Sequence, residues 1–215
     1  MKAEEIAQLR RDYTLNTLSE SEVAASPVTQ FDKWWNDAAH SQIIEMNAMT
    51  LATIGDDGFA DARTVLLKGF DEKGFVFFTN YGSTKAQQLS AHAGCCLLFH
   101  WKELERQVRI KGFVEKVSEE ESNVYFDSRP EGSKIGAWAS PQSKVVESKA
   151  WLEKTFSQYT EKFKQEKINR PDHWGGYRVK PVTIEFWQGR PNRMHDRILY
   201  TSNSSGNWKI ERLAP

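Results

Sequence analysis

The chain has 215 residues with 29 basic and 29 acidic side chains, and it is rich in aromatics, with eight tryptophans and twelve phenylalanines. Its length predicts one domain with a sizeable core. The balanced charge excludes the net field that draws proteins to nucleic acid or to a membrane surface, leaving a small molecule or a second copy as the expected partner. No apolar run reaches the length of a membrane span, and Met1-Lys2-Ala3-Glu4-Glu5 lacks the apolar segment of a secretory leader, so a cytoplasmic location is predicted. Cys95 and Cys96 are adjacent, and on a strand they would point to opposite faces. They are read as two buried structural thiols.

Residues 1–20 are mostly polar, with Ile6, Leu9 and Tyr13 at helical spacing, which predicts a short marginal helix at a frayed end. Residues 21–215 carry no repeat and no linker and are expected to form a single domain. Pro27 and Thr29 open a helix with an apolar stripe of Val28, Phe31, Trp34, Trp35 and Ala38, and Asp32 is placed in its first turn. From Ala48 the period becomes extended. Strands over 48–54, 59–68 and 75–79, joined by turns at Gly55–Gly58 and Asp71–Gly74, are expected to form three antiparallel strands.

Ser83 is placed to N-cap the next helix, so that its first amides and Lys85 would suit a phosphate. Strands follow at 95–100 and 106–117, then a capping box at Ser118-Glu119-Glu120-Glu121. Residues 147–165 form the clearest amphipathic helix, read as scaffold, and a last strand runs over 208–213. His40, His92, His100 and His173 show no ligand spacing, so no metal site is expected. Neither G-x-G-x-x-G nor G-x-x-x-x-G-K occurs.

The densest chemistry lies at Ile184-Glu185-Phe186-Trp187, a turn through Gly189 to Asn192, then Arg193-Met194-His195-Asp196-Arg197. If the strand resumes at Arg193, then Arg193, His195 and Arg197 project from one face, a row of donors suited to an anion or an electron-rich ring. Taken alone, the same row also reads as a solvated basic edge. The whole string nevertheless resembles the signature of the pyridoxamine/pyridoxine 5′-phosphate oxidases, and the likeness extends from Arg10 to Pro215.

Short strands, tight turns and peripheral helices indicate a mainly β (α+β) antiparallel barrel. The resemblance makes it a split barrel binding flavin mononucleotide (FMN) at the interface of a homodimer. It implies that Arg63, Thr64, Val65, Leu66, Leu67 and Lys68 line the flavin and its phosphate, that Phe78 and Thr79 flank it, and that Thr84 and Lys85 meet the phosphate. Gln107, Gln142, Ser143, Trp187 and Arg197 are the further flavin contacts that it implies.

The same resemblance assigns Lys68, Tyr125, Arg129 and Ser133 to a substrate phosphate, a set of fork, ammonium and hydroxyls that suits a dianion. Arg193, Met194 and His195 are assigned to the substrate ring, with Arg193 and His195 as the catalytic pair. Arg10, Arg11, Asp12 and Tyr13 belong to a mobile lid over residues 1–20.

The implied reaction oxidises pyridoxine or pyridoxamine 5′-phosphate to pyridoxal 5′-phosphate, with dioxygen reduced to hydrogen peroxide and ammonia released from the amine. Two other classes stay open on sequence: a related split-barrel flavoprotein that does not act on vitamin B6, and a cofactor-free barrel acting as an interaction module. The family commonly carries arginine where this chain has Thr84, which removes one charge-assisted, bidentate donor. Thr84→Arg is expected to tighten FMN binding roughly tenfold, the worth of one such bond. Fluorescence titration showing an unchanged Kd would mean that the missing charge is supplied elsewhere.

Overall fold

A computed structural model of the chain describes Glu5, Gln8, Leu9 and residues 12–203 and 206–215. Among these, five helices accompany nine strands. The strands are β1 (Ala48–Ile54), β2 (Ala60–Leu66), β3 (Gly69–Asp71), β4 (Gly74–Asn80), β5 (Gly94–Trp101), β6 (Arg106–Lys116), β7 (Trp174–Gln188), β8 (Asp196–Ser202) and β9 (Trp208–Arg212). The helices are α1 (Pro27–His40), α2 (Thr84–Ala91), α3 (Glu119–Ser128), α4 (Glu131–Ala139) and α5 (Lys149–Phe163). The sheet order is β2-β1-β5-β6-β7-β4-β3, with β8 pairing both β7 and β9.

The residues form two compact units. The first comprises residues up to Met49, Leu97–Lys111 and Pro181–Pro215. Its core is aromatic: Trp34 of α1 meets Phe186 edge-on at 5.1 Å, Phe31 lies 5.1 Å from Phe99, and Phe186 lies 5.6 Å from Tyr200. Large rings supply the most burial per residue, which is why this helix stripe fixes α1. Ser26 caps α1 by accepting from the amides of Val28 and Thr29, with Pro27 as the first helical residue. Asp32 falls beyond the first turn, and it accepts from Asn36 instead.

Arg106 enters this core with two of its nitrogens and its ring-facing surface engaged. Its Nε donates to Gln188 at 2.9 Å, its Nη1 to Asp37 at 2.6 Å, and the guanidinium lies over the Trp34 ring. The helix expected near the N-terminus lies mainly on residues outside those described, and residues 12–20 are not helical. Their backbone is held by side chains instead, with the amides of Thr14 and Leu15 donating to the Glu105 carboxylate.

The second unit comprises Thr50–Cys96 and Gly112–Lys180. Here β4 is buried on both faces and pairs with β7 from Phe75↔Val179 to Asn80↔Trp174. The expected three-strand meander does not form. The long second strand breaks at Leu67-Lys68 into β2 and β3, β2 borders β1, and β3 pairs with β4. Leu67 turns into the core, and the Lys68 amide still donates to the Val76 carbonyl at 2.8 Å.

The capping box forms on its serine side, with Ser118 accepting from the Glu121 amide at 3.0 Å. Ser83 occupies the N-cap position of α2, but its buried hydroxyl donates to the Asn80 carbonyl at 2.7 Å rather than accepting from the helix. The nearer main-chain acceptor wins. On α5 no residue is buried, and Tyr159 and Phe163 pack against Trp138 of α4. Cys95 is buried with its thiol pushed up to about 12 by burial, whereas Cys96 is only half-buried.

The β3–β4 turn depends on Gly74. Asp71 accepts from the amides of Lys73 and Gly74, and Gly74 has φ +133°, where a Cβ would run into the Val179 carbonyl. Gly74→Ala is expected to cost about 1–3 kcal/mol in urea denaturation. An unchanged midpoint would show that β4 and β7 separate there at little cost.

Candidate functional site

In the second unit a cavity of about 920 Å³ opens between β2, β4 and the helices α3 and α4. That is near the upper end of small-molecule sites, roughly 300–1,000 Å³. Four cations border it: Arg63 from β2, Lys68 from the β2–β3 break, Lys85 from α2 and Arg129 at the end of α3. The break at Leu67 thus has a chemical result, since it aims Lys68 into the cavity while Leu67 stays in the core.

The cations are held in different ways. Arg63 donates to the Leu51 carbonyl, Thr53 and Gln88, and pairs with Asp61 at 2.6 Å. Lys85 is buried, and burial followed by repulsion from Arg63 lowers its pKa. Among the described residues its Nζ reaches only Ser83 at 3.4 Å and Gln142 at 3.5 Å, long for bonds to a charged group. The Arg129 guanidinium lies 4.5 Å above the Trp174 ring, and its pKa is lowered by burial.

One Arg129 nitrogen, Nη1, is buried with no hydrogen-bond partner among the described residues. A buried orphan of this kind is rare in folded proteins. Ser133, in the first turn of α4, adds a hydroxyl and the positive end of a helix to the same wall. This donor set suits phosphate, and the cavity could hold a phosphorylated cofactor or substrate.

Of the residues picked out in the sequence, Thr64, Val65, Leu66, Phe78, Thr79, Tyr125 and Gln142 also line this cavity. Phe78 stacks on Tyr125 with ring centroids 4.0 Å apart. Thr84 is exposed at the start of α2, and Ser143 is exposed with φ +68°; neither borders the cavity. The sequence reading missed Asn80, Ser140 and Trp174, which do. A cue for Trp174 was the His173-Trp174-Gly175-Gly176 run, whose glycines let β7 lie against Tyr81 and Phe78 without a Cβ in the way.

In the first unit, Gln107, Trp187 and Arg197 border a cavity of about 270 Å³ together with Arg109 and Glu185, to which no role had been given. The basic row is not a row. Pro191–Arg193 form a 3₁₀ turn, β8 starts only at Asp196, and only Arg197 of the three residues lies on the strand. Asn192 and Arg193 have φ of +53° and +60°, a left-handed step that ends the strand period.

Arg193 and Met194 are exposed, and His195 packs 4.6 Å from Trp187 and 5.9 Å from Tyr13. The Arg190 amide donates to His195 Nδ1 at 3.1 Å, which assigns the proton of the neutral ring to Nε2. Tyr13 closes over Gly189, where a Cβ would meet its ring at 2.7 Å. Asp12 is exposed, and Arg10 and Arg11 lie outside the described residues.

Residues 36–163 match a family described as pyridoxamine 5′-phosphate oxidase, and residues 174–215 match the pyridoxine 5′-phosphate oxidase C-terminal dimerisation region. The chain is 56% identical over 210 residues to a pyridoxine/pyridoxamine 5′-phosphate oxidase of Nostoc punctiforme, covering 98% of each. To that of Cupriavidus pinatubonensis it is 54% identical over 211 residues, covering 98% of this chain and 99% of the other. Among solved structures it resembles PhzG from Burkholderia lata 383 in complex with tetrahydrophenazine-1-carboxylic acid. That match has a TM-score of 0.87 at 25% identity, covering 94% of this chain and 99% of the other. A pyridoxamine 5′-phosphate oxidase-related, FMN-binding protein of Nostoc punctiforme gives a TM-score of 0.71 at 17% identity, covering 90% and 100%. The fold is the antiparallel split barrel with peripheral helices.

Burial, and after it the charge of Arg193, lowers the His195 pKa from the ordinary 6.5. Because the folded value is the lower one, the unfolded chain takes up its proton first as the pH falls. The stability contributed by the neutral ring is therefore present above 6.5 and is lost as the pH falls through the folded value. In an NMR titration His195 should have its midpoint below 6.5, and Arg193→Leu should raise that midpoint while leaving it below 6.5, since burial is the larger cause. An unmoved midpoint would show that the imidazole does not feel Arg193.

Proposed function

The chain belongs to the pyridoxamine 5′-phosphate oxidase family, an enzyme family, and from that premise we propose that it oxidises pyridoxine 5′-phosphate and pyridoxamine 5′-phosphate to pyridoxal 5′-phosphate. The reading rests chiefly on the cavity where Arg63, Lys68, Lys85 and Arg129 converge, with one arginine nitrogen lacking a partner among the described residues. In this reading the protein is a cytoplasmic homodimer with FMN at the subunit interface, and residues 174–215 match a dimerisation region.

Arg63 and Lys85 hold the cofactor phosphate, and Thr84 precedes Lys85 at the exposed start of α2. The stretch through Thr64, Val65, Leu66 and Leu67, with Phe78 and Thr79, frames the flavin. Gln107, Trp187 and Arg197 of the first unit, and Gln142 and Ser143 of the second, are the further flavin contacts that the family resemblance implies. Lys68, Tyr125, Arg129 and Ser133 grip the substrate phosphate, and residues 1–20, with Asp12 and Tyr13, serve as a lid. FMN, when bound, accepts two electrons from the substrate and passes them to dioxygen, which leaves as hydrogen peroxide.

Arg193 and His195 position the pyridine ring, so their contribution is orientation and proton placement. With Nδ1 engaged by the Arg190 amide, Nε2 is the His195 atom that faces a substrate oxygen or nitrogen. The lowered pKa keeps the imidazole neutral at neutral pH, suited to donating a hydrogen bond without adding a second positive charge beside Arg193.

A second reading, oxidation of an unphosphorylated tricyclic acid, has the fold likeness to the Burkholderia lata protein in its favour. The clustered cations favour a phosphate monoester. A peroxide assay on FMN-loaded protein with both vitamin B6 phosphates and with unphosphorylated pyridoxine separates the two: turnover should require the phosphate, and no peroxide from either ester would overturn the assignment. Arg193→Leu should lower kcat/KM by about 10²-fold, the order expected for lost orientation, and leave FMN bound. Release of the flavin instead would place Arg193 on the cofactor.

A further inference from the structure

Glu185 stands on β7 with an arginine from a neighbouring strand at each carboxylate oxygen. Arg109 of β6 donates to Oε2, and Arg197 of β8 donates through Nε to Oε1 at 2.8 Å. The register explains the second contact. Glu185 lies opposite Leu199 and Trp187 opposite Arg197, so Arg197 is the diagonal neighbour of Glu185, within reach of a long side chain. Arg197 is also held at Nη1 by the Ala214 carbonyl, 2.8 Å away.

The exposures are uneven. The Glu185 side chain is 8% exposed, Arg197 25% and Arg109 43%. Burial alone would raise the Glu185 pKa, but hydrogen bonds from Arg197 and then Arg109 more than reverse it, so the carboxylate stays ionised. All three side chains border the cavity that Gln107 and Trp187 line. Without Glu185 two guanidinium groups would face one cavity with nothing between them, and Arg197 would keep only its carbonyl anchor.

We propose that Glu185 is a positioning residue for the flavin site: it fixes the orientation of Arg197 and cancels one of two arginine charges, so that this wall presents one net positive charge to the ring. The proposal rests on the flavin reading above. Charge placed beside a flavin tunes its electronics, because two-electron reduction adds negative charge that a cationic wall stabilises. The wall therefore sets how readily the flavin accepts electrons.

The test is the midpoint potential of FMN bound to the full-length protein, measured by dye-coupled titration, with the FMN Kd measured alongside. Glu185→Gln leaves two uncancelled positive charges and should raise the potential. Arg109→Gln leaves none and should lower it. Glu185→Asp, which keeps the charge, should restore a value close to the parent's. A packing role alone would not produce shifts of opposite sign, so shifts in the same direction, or none while flavin is bound, overturn the proposal. If Glu185→Gln does not fold, the exposed Arg109 decides by itself, and an unchanged potential in Arg109→Gln is sufficient to reject it. A parent protein that binds no FMN defeats the flavin reading itself, an outcome distinct from bound flavin with an unaltered potential.

Discussion

Positive charge held without enough counter-charge is the constraint on which the larger cavity depends. Arg63, Lys68, Lys85 and Arg129 border one space, and among the described residues Asp61 is the carboxylate paired with any of them, through Arg63. Burial lowers the pKa of both Lys85 and Arg129, so the fold keeps cations where their charged forms are disfavoured. The scaffold meets this cost locally. Arg63 is fixed by a backbone carbonyl and two polar side chains, and Arg129 is spread over an indole face. An anion that binds only the folded state returns the cost as stability, about 2.7 kcal/mol at a hundredfold excess over Kd.

The first unit handles its arginines in the opposite way. Arg109 and Arg197 share Glu185, Arg106 is spent on Asp37, Gln188 and Trp34, and His195 is kept neutral beside Arg193. One unit thus offers strong fields suited to phosphate groups. The other offers aromatic surface with its charge largely cancelled, suited to positioning a flat ring. This division follows from where carboxylates were placed, since both regions are rich in arginine.

Much of this was legible in the sequence because each signal was local. The Gly55–Gly58 and Asp71–Gly74 turns, the Ser118 capping box and the α1 stripe each depend on residues a few positions apart, and each forms. Failures came where a competing interaction was invisible from residue type. Ser83 found a carbonyl three residues back, Leu67 was drawn into the core and split a strand, and the left-handed step at Asn192 and Arg193 broke the expected alternation. Asn80, Ser140 and Trp174 enter the cavity through long-range packing, such as the pairing of Asn80 with Trp174 across β4 and β7, which no spacing rule could supply. Gln107 was found only through family resemblance, since a glutamine at a strand start carries no chemical cue of its own.

The attachment of residues 12–20 bears on the proposed lid. The amides of Thr14 and Leu15 rest on Glu105, the Leu18 amide on Asp196, the Asn16 carbonyl on Arg190, and Arg212 clamps Glu20 and the Leu18 carbonyl. The ties at Glu105, Asp196 and the Leu18 carbonyl are part-buried and those at Arg190 and Glu20 are exposed; Leu18 is buried and Tyr13 is half-buried against Trp187 and His195. The exposed ties can exchange for water at small net cost, whereas releasing the whole segment would also expose Leu18 and take two amide donors from the buried Glu105 carboxylate. Others of these bonds end on Arg190 and Asp196, which flank the turn bearing Arg193 and His195, and on Arg212, which pairs with Asp196, so the segment and that turn share anchors. In the proposed reading, residues 12–20 of the lid therefore share their anchors with the turn that carries the residues proposed to position the ring.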